Sequence, residues 1–153
     1  MIRAAGRAAA RSASGGFTLI ELMIAVAIFA LITAIALPMY RSEVLRANRV
    51  DAVRTLTSYR QALERCYSQN FTYLNQVTSP CPAAPGLPTN STNGYYAITF
   101  PGMTATSYTI VATPNGTQVN DTSCASMQVT NTGAQSALNS SGTDSTQTCW
   151  GGK

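Results

Sequence analysis

A lone carboxylate, Glu21, stands near the head of an apolar run that carries no charge from Leu22 to Met39. Placing an acid in such a run costs about 3 kcal/mol on membrane-insertion scales, so an intramembrane carboxylate marks a function, and its most direct use is to meet a cation. The other reactive groups are Cys66, Cys81, Cys124 and Cys149. The chain has no histidine and no Cys-x-x-Cys spacing, so disulfides in an oxidising compartment are expected in place of a metal site. Four cysteines allow three connectivities, of which the sequential one, Cys66 to Cys81 and Cys124 to Cys149, suits a layout in which each pair closes one loop. Without histidine there is no Ser-His or Cys-His dyad. Asp121 and Asp144 are the only acidic side chains after Glu64; they could serve as acid and base if folding paired them, but loop acids are ordinarily solvated. So few acids also argue against a calcium site, and no phosphate loop or internal repeat is present. These residues point away from an enzyme and imply neither cofactor nor metal.

Such groups need elements to hold them. About 20 predominantly apolar residues cross a bilayer as a helix, and the run containing Glu21 is long enough. Arg3, Arg7 and Arg11 precede it in a segment without acids, which predicts a cytoplasmic start and an exported remainder. An ordinary signal peptide shares those features and finds a small-residue cleavage site at Ala34-Ile35-Ala36, but Glu21 would then lie inside its apolar core. Pro38 removes a hydrogen bond to the Ala34 carbonyl, so a helix kink at Pro38, with a bend or local melting over 34–38, is expected. Beyond it, Tyr40, Val44, Ala47, Val53, Leu56, Tyr59, Leu63 and Cys66 fall on one helical face, predicting an amphipathic helix over 40–67 with Tyr59, Leu63 and Tyr67 in the core. Joined to the span, this makes a helix of roughly 50 residues, about 75 Å at about 1.5 Å per residue.

After Tyr67 the periodicity breaks. Residues 68–94 contain Pro80, Pro82, Pro85, Gly86 and Pro88 and read as a long surface loop that Cys66 and Cys81 could tie down. Residues 95–100, 108–113 and 125–131 read as strands, separated by Pro101-Gly102 and Pro114-Asn115-Gly116, with Tyr108, Ile110 and Ala112 on one face and Met127 and Val129 on another inward face. An antiparallel meander packed on the helix is predicted, an α+β fold. Residues 135–148 are rich in Ser, Thr, Gly and Asn and read as an irregular loop closed by Cys149-Trp150. Arg41, Arg46, Arg49, Arg54, Arg60 and Arg65, with Glu43, Asp51 and Glu64 among them, predict a mixed-sign solvated or subunit-facing helix surface, and after Cys66 the only basic side chain is Lys153. That distribution lacks the clustered cations and aromatics of a DNA-binding stripe.

Gly16-Phe17-Thr18-Leu19-Ile20-Glu21, the apolar run and Pro38 resemble the type III signal of type IV pilins, in which a dedicated prepilin peptidase cuts after the glycine and methylates the new N-terminus. The tail, Cys124-Ala125-Ser126-Met127-Gln128-Val129-Thr130, then Gly133 and Cys149-Trp150, resembles that of PilE-like pilins, a class mostly counted among minor pilins. The extra Cys66 and Cys81 and the proline-rich loop depart from the simplest version of that class.

The resemblance implies cleavage between Gly16 and Phe17, N-methylation of Phe17, and a role for Glu21 in setting assembly register by meeting a neighbouring subunit's Phe17 amine. Buried pairs of this kind set register more than they add stability. The implied organisation is a leader over 1–16, a membrane and assembly helix over 17–39, its amphipathic half over 40–67, the loop over 68–94, the sheet over 95–134 and a disulfide-closed C-terminal loop over 135–153. The type IV pilin fold is thus expected, and with it a structural subunit of a pilus. Its expected partners are other pilin subunits, the prepilin peptidase and an inner-membrane assembly platform. The subunit would sit single-pass in the inner membrane, C-terminal domain in the periplasm, before joining an extracellular filament. The alternatives are a type II secretion pseudopilin and a DNA-uptake pilin; nucleic-acid binding stays open only because some minor pilins serve DNA uptake.

Overall fold

The computed structural model describes residues 16–74 and 90–151. The leader up to residue 15, most of the proline-rich loop and Cys81 lie outside the described residues, and so does the Cys66–Cys81 pairing expected above. The chain divides into two compact units, residues 1–38 and 39–153. Helix α1, Leu19–Asn70, has 52 residues. It is helical throughout 34–38, so Pro38 does not end it and the local melting considered there does not occur. In the first unit every large apolar side chain from Phe17 onward is exposed, and this part of α1 is long and apolar enough to cross a membrane.

In the second unit the buried stripe of α1 starts later than the spacing predicts. Tyr40, Val44 and Ala47 are exposed, and burial begins at Arg49 and continues through Ala52, Thr55, Leu56, Leu63 and Cys66. The reason is coverage: apolar spacing marks a face, but only the part of that face beneath the sheet and its loops is shielded from water. The helix also runs past Tyr67 to Asn70, where the Asn70 side-chain amide donates to the Cys66 carbonyl at 3.1 Å and satisfies an end group that a bare terminus would leave open.

Strands β1 (Tyr96–Thr99), β2 (Thr109–Pro114), β3 (Ser126–Thr130) and β4 (Gln135–Leu138) form one antiparallel sheet in sequence order. Their registers align Ile98, Ala112, Met127 and Ala137 in one row across all four strands. Alternation turns that row and its neighbours Tyr96, Ile110 and Val129 inward, where they share a core with Ala52, Leu56 and Leu63 of α1. A 3-10 turn over Gly116–Asn120 follows β2, and a short helix α2, Thr146–Trp150, ends the described chain.

Strand β4 and helix α2 correct the irregular loop expected over 135–148. Gly133, at φ +85°, makes the tight turn from β3, and Thr130 donates its N–H to the Ala134 carbonyl at 3.0 Å. Beyond the turn, Ala137 fills the inner row and the Gln128 amide donates to the Ser136 hydroxyl at 2.7 Å. Four residues with one inward alanine are too short for alternation to register in a polar sequence.

Candidate assembly site

Thr18 builds the head of the first unit. Its backbone N–H and hydroxyl both donate to Glu21 Oε2, at 2.8 and 2.9 Å, while the Glu21 N–H donates back to the Thr18 hydroxyl at 3.3 Å. This is a capping box, in which Thr18 and the acid three residues on satisfy each other's open backbone donors. The helix therefore starts at Leu19 and leaves Gly16 and Phe17 outside it, with Phe17 90% exposed. The bond between Gly16 and Phe17 lies in non-helical, exposed chain. The capping role of Thr18 was readable from its spacing to Glu21 ahead of an apolar run, a signal that the sequence reading did not use.

The second unit carries a buried polar node. Arg49, on α1, donates from Nε and Nη2 to the two carboxylate oxygens of Asp121 at 2.7 and 2.8 Å, and its Nη1 donates to the Thr148 carbonyl at 3.3 Å. Both partners are buried. The Asp121 hydrogen bonds are the main reason the Arg49 guanidinium pKa is raised, against the opposing effect of burial. Gln118, fully buried, spreads its amide over the Leu45 carbonyl at 2.9 Å, the Tyr96 hydroxyl at 3.0 Å and Asp121 at 3.1 Å. The node thus ties α1 to the turn after β2, to β1 and to α2. Two further acids fix other parts: Glu64 accepts from the Tyr108 hydroxyl at 2.7 Å, and Asp51 accepts from the Asn93 N–H at 3.3 Å.

These contacts correct two expectations. Arg49 and Asp51 are buried, not part of a solvated charged face, because the loops after β2 and before β1 descend onto α1 and supply their partners. Asp121 is not a solvated loop acid for the same reason, and it is not paired with Asp144. Asp144 is exposed and accepts from the Thr146 hydroxyl and N–H at 2.5 and 3.0 Å, which lowers its pKa. Neither carboxylate meets a second acid, and among the described residues no cluster of metal-ligating side chains occurs. Cys124 and Cys149 are joined, with Cα atoms 5.8 Å apart, and Cys66 is disulfide-bonded. Trp150 donates its indole N–H to the Ser136 carbonyl at 3.0 Å, pinning α2 to β4. Sequence reasoning missed the Arg49–Asp121–Gln118 node because its members are 72 and 3 residues apart and carry no local motif.

Residues 38–128 match the family model described as "Type IV minor pilin ComP, DNA uptake sequence receptor", and residues 11–37 match the "Prokaryotic N-terminal methylation motif". The chain is similar to a fimbrial protein of Dichelobacter nodosus, 33% identical over 113 residues that cover 73% of this chain and 68% of the relative. It is similar to prepilin peptidase-dependent protein D of Escherichia coli (strain K12), 43% identical over 51 residues, 33% of this chain; the match spans only 35% of that relative's length. In fold it resembles the Neisseria meningitidis non-core minor pilin PilV, with a TM-score of 0.50 and 22% identity over 64% of this chain and 90% of that one.

Proposed function

This chain belongs to the type IV minor pilin family, and from that premise we propose that it is cut between Gly16 and Phe17, methylated on the new Phe17 amine and built into a surface filament through the apolar half of α1. Before assembly this half anchors the subunit in the inner membrane with its second unit in the periplasm; the prepilin peptidase processes it there and the assembly platform extracts it. The observation that carries the reading is an apolar helix with no protein cover and one carboxylate at its head. Leaving lipid, such a helix needs other apolar helices around it, and the new Phe17 amine of a neighbour is the cation that suits Glu21. Pro38 supplies a point where the helix can bend during packing. We assign the chain no catalytic role; its relatives are structural pilins.

Intact-mass spectrometry of the protein from sheared surface filaments, with and without reduction, tests this. The expected mass begins at methylated Phe17 and rises by about four hydrogens on full reduction. A chain that begins at Leu37 and is found free in the medium would overturn the reading, and one confined to the envelope and needed for protein export would mean a secretion pseudopilin instead.

A second reading is favoured by the family description itself, a DNA uptake sequence receptor. In that case the full chain in detergent binds duplex DNA with an affinity that falls steeply as salt rises. Salt-insensitive or absent binding would remove it and leave the filament role intact.

A further inference from the structure

We propose that Asn115 is a slow self-modification site, at which the folded chain turns its own asparagine into aspartate and isoaspartate while Asn93 is spared. The sequence places glycine after asparagine twice, at 93–94 and at 115–116. A glycine has no Cβ to shield its backbone nitrogen, so in such a pair that nitrogen can reach the preceding carboxamide. Neither pair has a part in the assembly proposed above.

The fold treats the two pairs differently. Asn115 is exposed, and the Gly116 N–H donates to the Asn115 Oδ1 at 2.8 Å, so the nucleophile already lies against the carboxamide it must attack. A Cβ at Gly116 would meet nothing within 4 Å, so the approach is open. The Asn115 Nδ2, which must leave, is held by a long bond of 3.5 Å to the Gly94 carbonyl. At Asn93 both reacting groups are engaged elsewhere. The Gly94 N–H donates to the Ser91 carbonyl at 2.9 Å, and the Asn93 Nδ2 and N–H donate to the Asp51 carboxylate at 3.2 and 3.3 Å. Asp51 is buried, and its charge opposes the negative charge that develops on a neighbouring carboxamide oxygen during attack.

The step needs no reagent but water. The Gly116 nitrogen attacks Cγ of Asn115 and forms an N–Cγ bond; the bond from Cγ to Nδ2 breaks, and Nδ2 leaves as ammonia with the proton that Gly116 loses. Water then opens the cyclic imide at either carbonyl, giving aspartate or isoaspartate, each with a mass gain of about one unit and a new negative charge. Isoaspartate also lengthens the main chain just before the 3-10 turn over Gly116–Asn120. That turn brings Gln118 to the Leu45 carbonyl and leads into Asp121, the partner of Arg49.

Incubation of the full chain in detergent micelles at mildly alkaline pH, followed by peptic mapping with mass spectrometry, tests the site, with the same chain unfolded in guanidinium chloride as the reference. In the folded chain Asn115 is expected to convert at least tenfold faster than Asn93, because misplacing reacting groups by about 1 Å can cost about 100-fold. In the unfolded chain the two are expected to convert at similar rates. Asn115→Gln is expected to abolish the mass gain in the peptide that carries position 115 and to leave the rate at Asn93 unchanged. Asn115 intact in the folded chain while the unfolded chain converts, Asn93 converting as fast as Asn115 in the folded chain, a tenfold difference that persists in denaturant, or aspartate formed without isoaspartate would each overturn the proposal.

Discussion

Glu21 shows how much a single side chain can be asked to do. Its carboxylate is held by its own Thr18, through two hydrogen bonds of 2.8 and 2.9 Å, so the acid is not left without a partner. In the assembly proposed above, a neighbour's amine would have to improve on that arrangement, which fits a registry role better than a large contribution to stability. Glu21→Ala is expected to leave the mature mass starting at Phe17 but to lower the subunit's share of sheared filaments several-fold; a normal filament content would remove the registry role. Arg49 and Asp121 are the corresponding pair in the second unit, and there the partner is already in place. Asp121→Ala leaves a buried guanidinium without its carboxylate and is expected to cost about 3–5 kcal/mol in chemical denaturation. A loss below about 1 kcal/mol would mean that water or Thr148 compensates and that the pair is not what holds α1 to the loops.

At the scale of elements, the last quarter of the chain is held by one disulfide and by Met127, Val129, Ala137 and Cys149 in the core. The Cys124–Cys149 disulfide closes a 25-residue separation that contains β3, β4 and most of α2, and Trp150 adds one hydrogen bond to β4. Loop closure of that length is worth about 3.5 kcal/mol in the chain-entropy picture. Replacing both cysteines by serine is expected to lower the unfolding free energy by about 2–4 kcal/mol and to raise hydrogen exchange first in β4 and α2, with α1 changed least. Uniform exchange across the sheet would show instead that the second unit opens as one piece. The same segment explains where reading by pattern stopped. The three strands with two or more inward apolar residues, such as Tyr108, Ile110 and Ala112, announced themselves. Strand β4 contributes Ala137 alone to the inner row, and its partner Met127 decides its place through pairing.

The second unit as a whole should lose stability in strong base. Several phenols are kept protonated by their surroundings: burial pushes Tyr96 up to about 12, opposed by its hydrogen bond with Gln118 and reinforced by the charge of Asp121, and burial also raises Tyr59, Tyr73 and Tyr108. A tyrosine ionises near 10 in the unfolded chain, so the folded state keeps the proton longer than the unfolded state does. The stability from Tyr96 is therefore complete below about pH 10 and is lost as pH rises through about 12. Denaturation midpoints are expected to hold from neutral pH to about 10 and then to fall, less steeply in Tyr96→Phe; an equally steep fall in that variant would assign the loss to other groups. By itself the sequence determined the apolar helix, the amphipathic spine and the meander, because each is written in neighbouring residues through spacing, charge and turn chemistry. Only the tertiary structure decided that Arg49 and Asp51 lie inside, that Asp121 and Gln118 serve as fastenings and that β4 joins the sheet. Those outcomes depend on which distant segments meet, and a buried charge becomes tolerable only when a partner far along the chain arrives to pair with it.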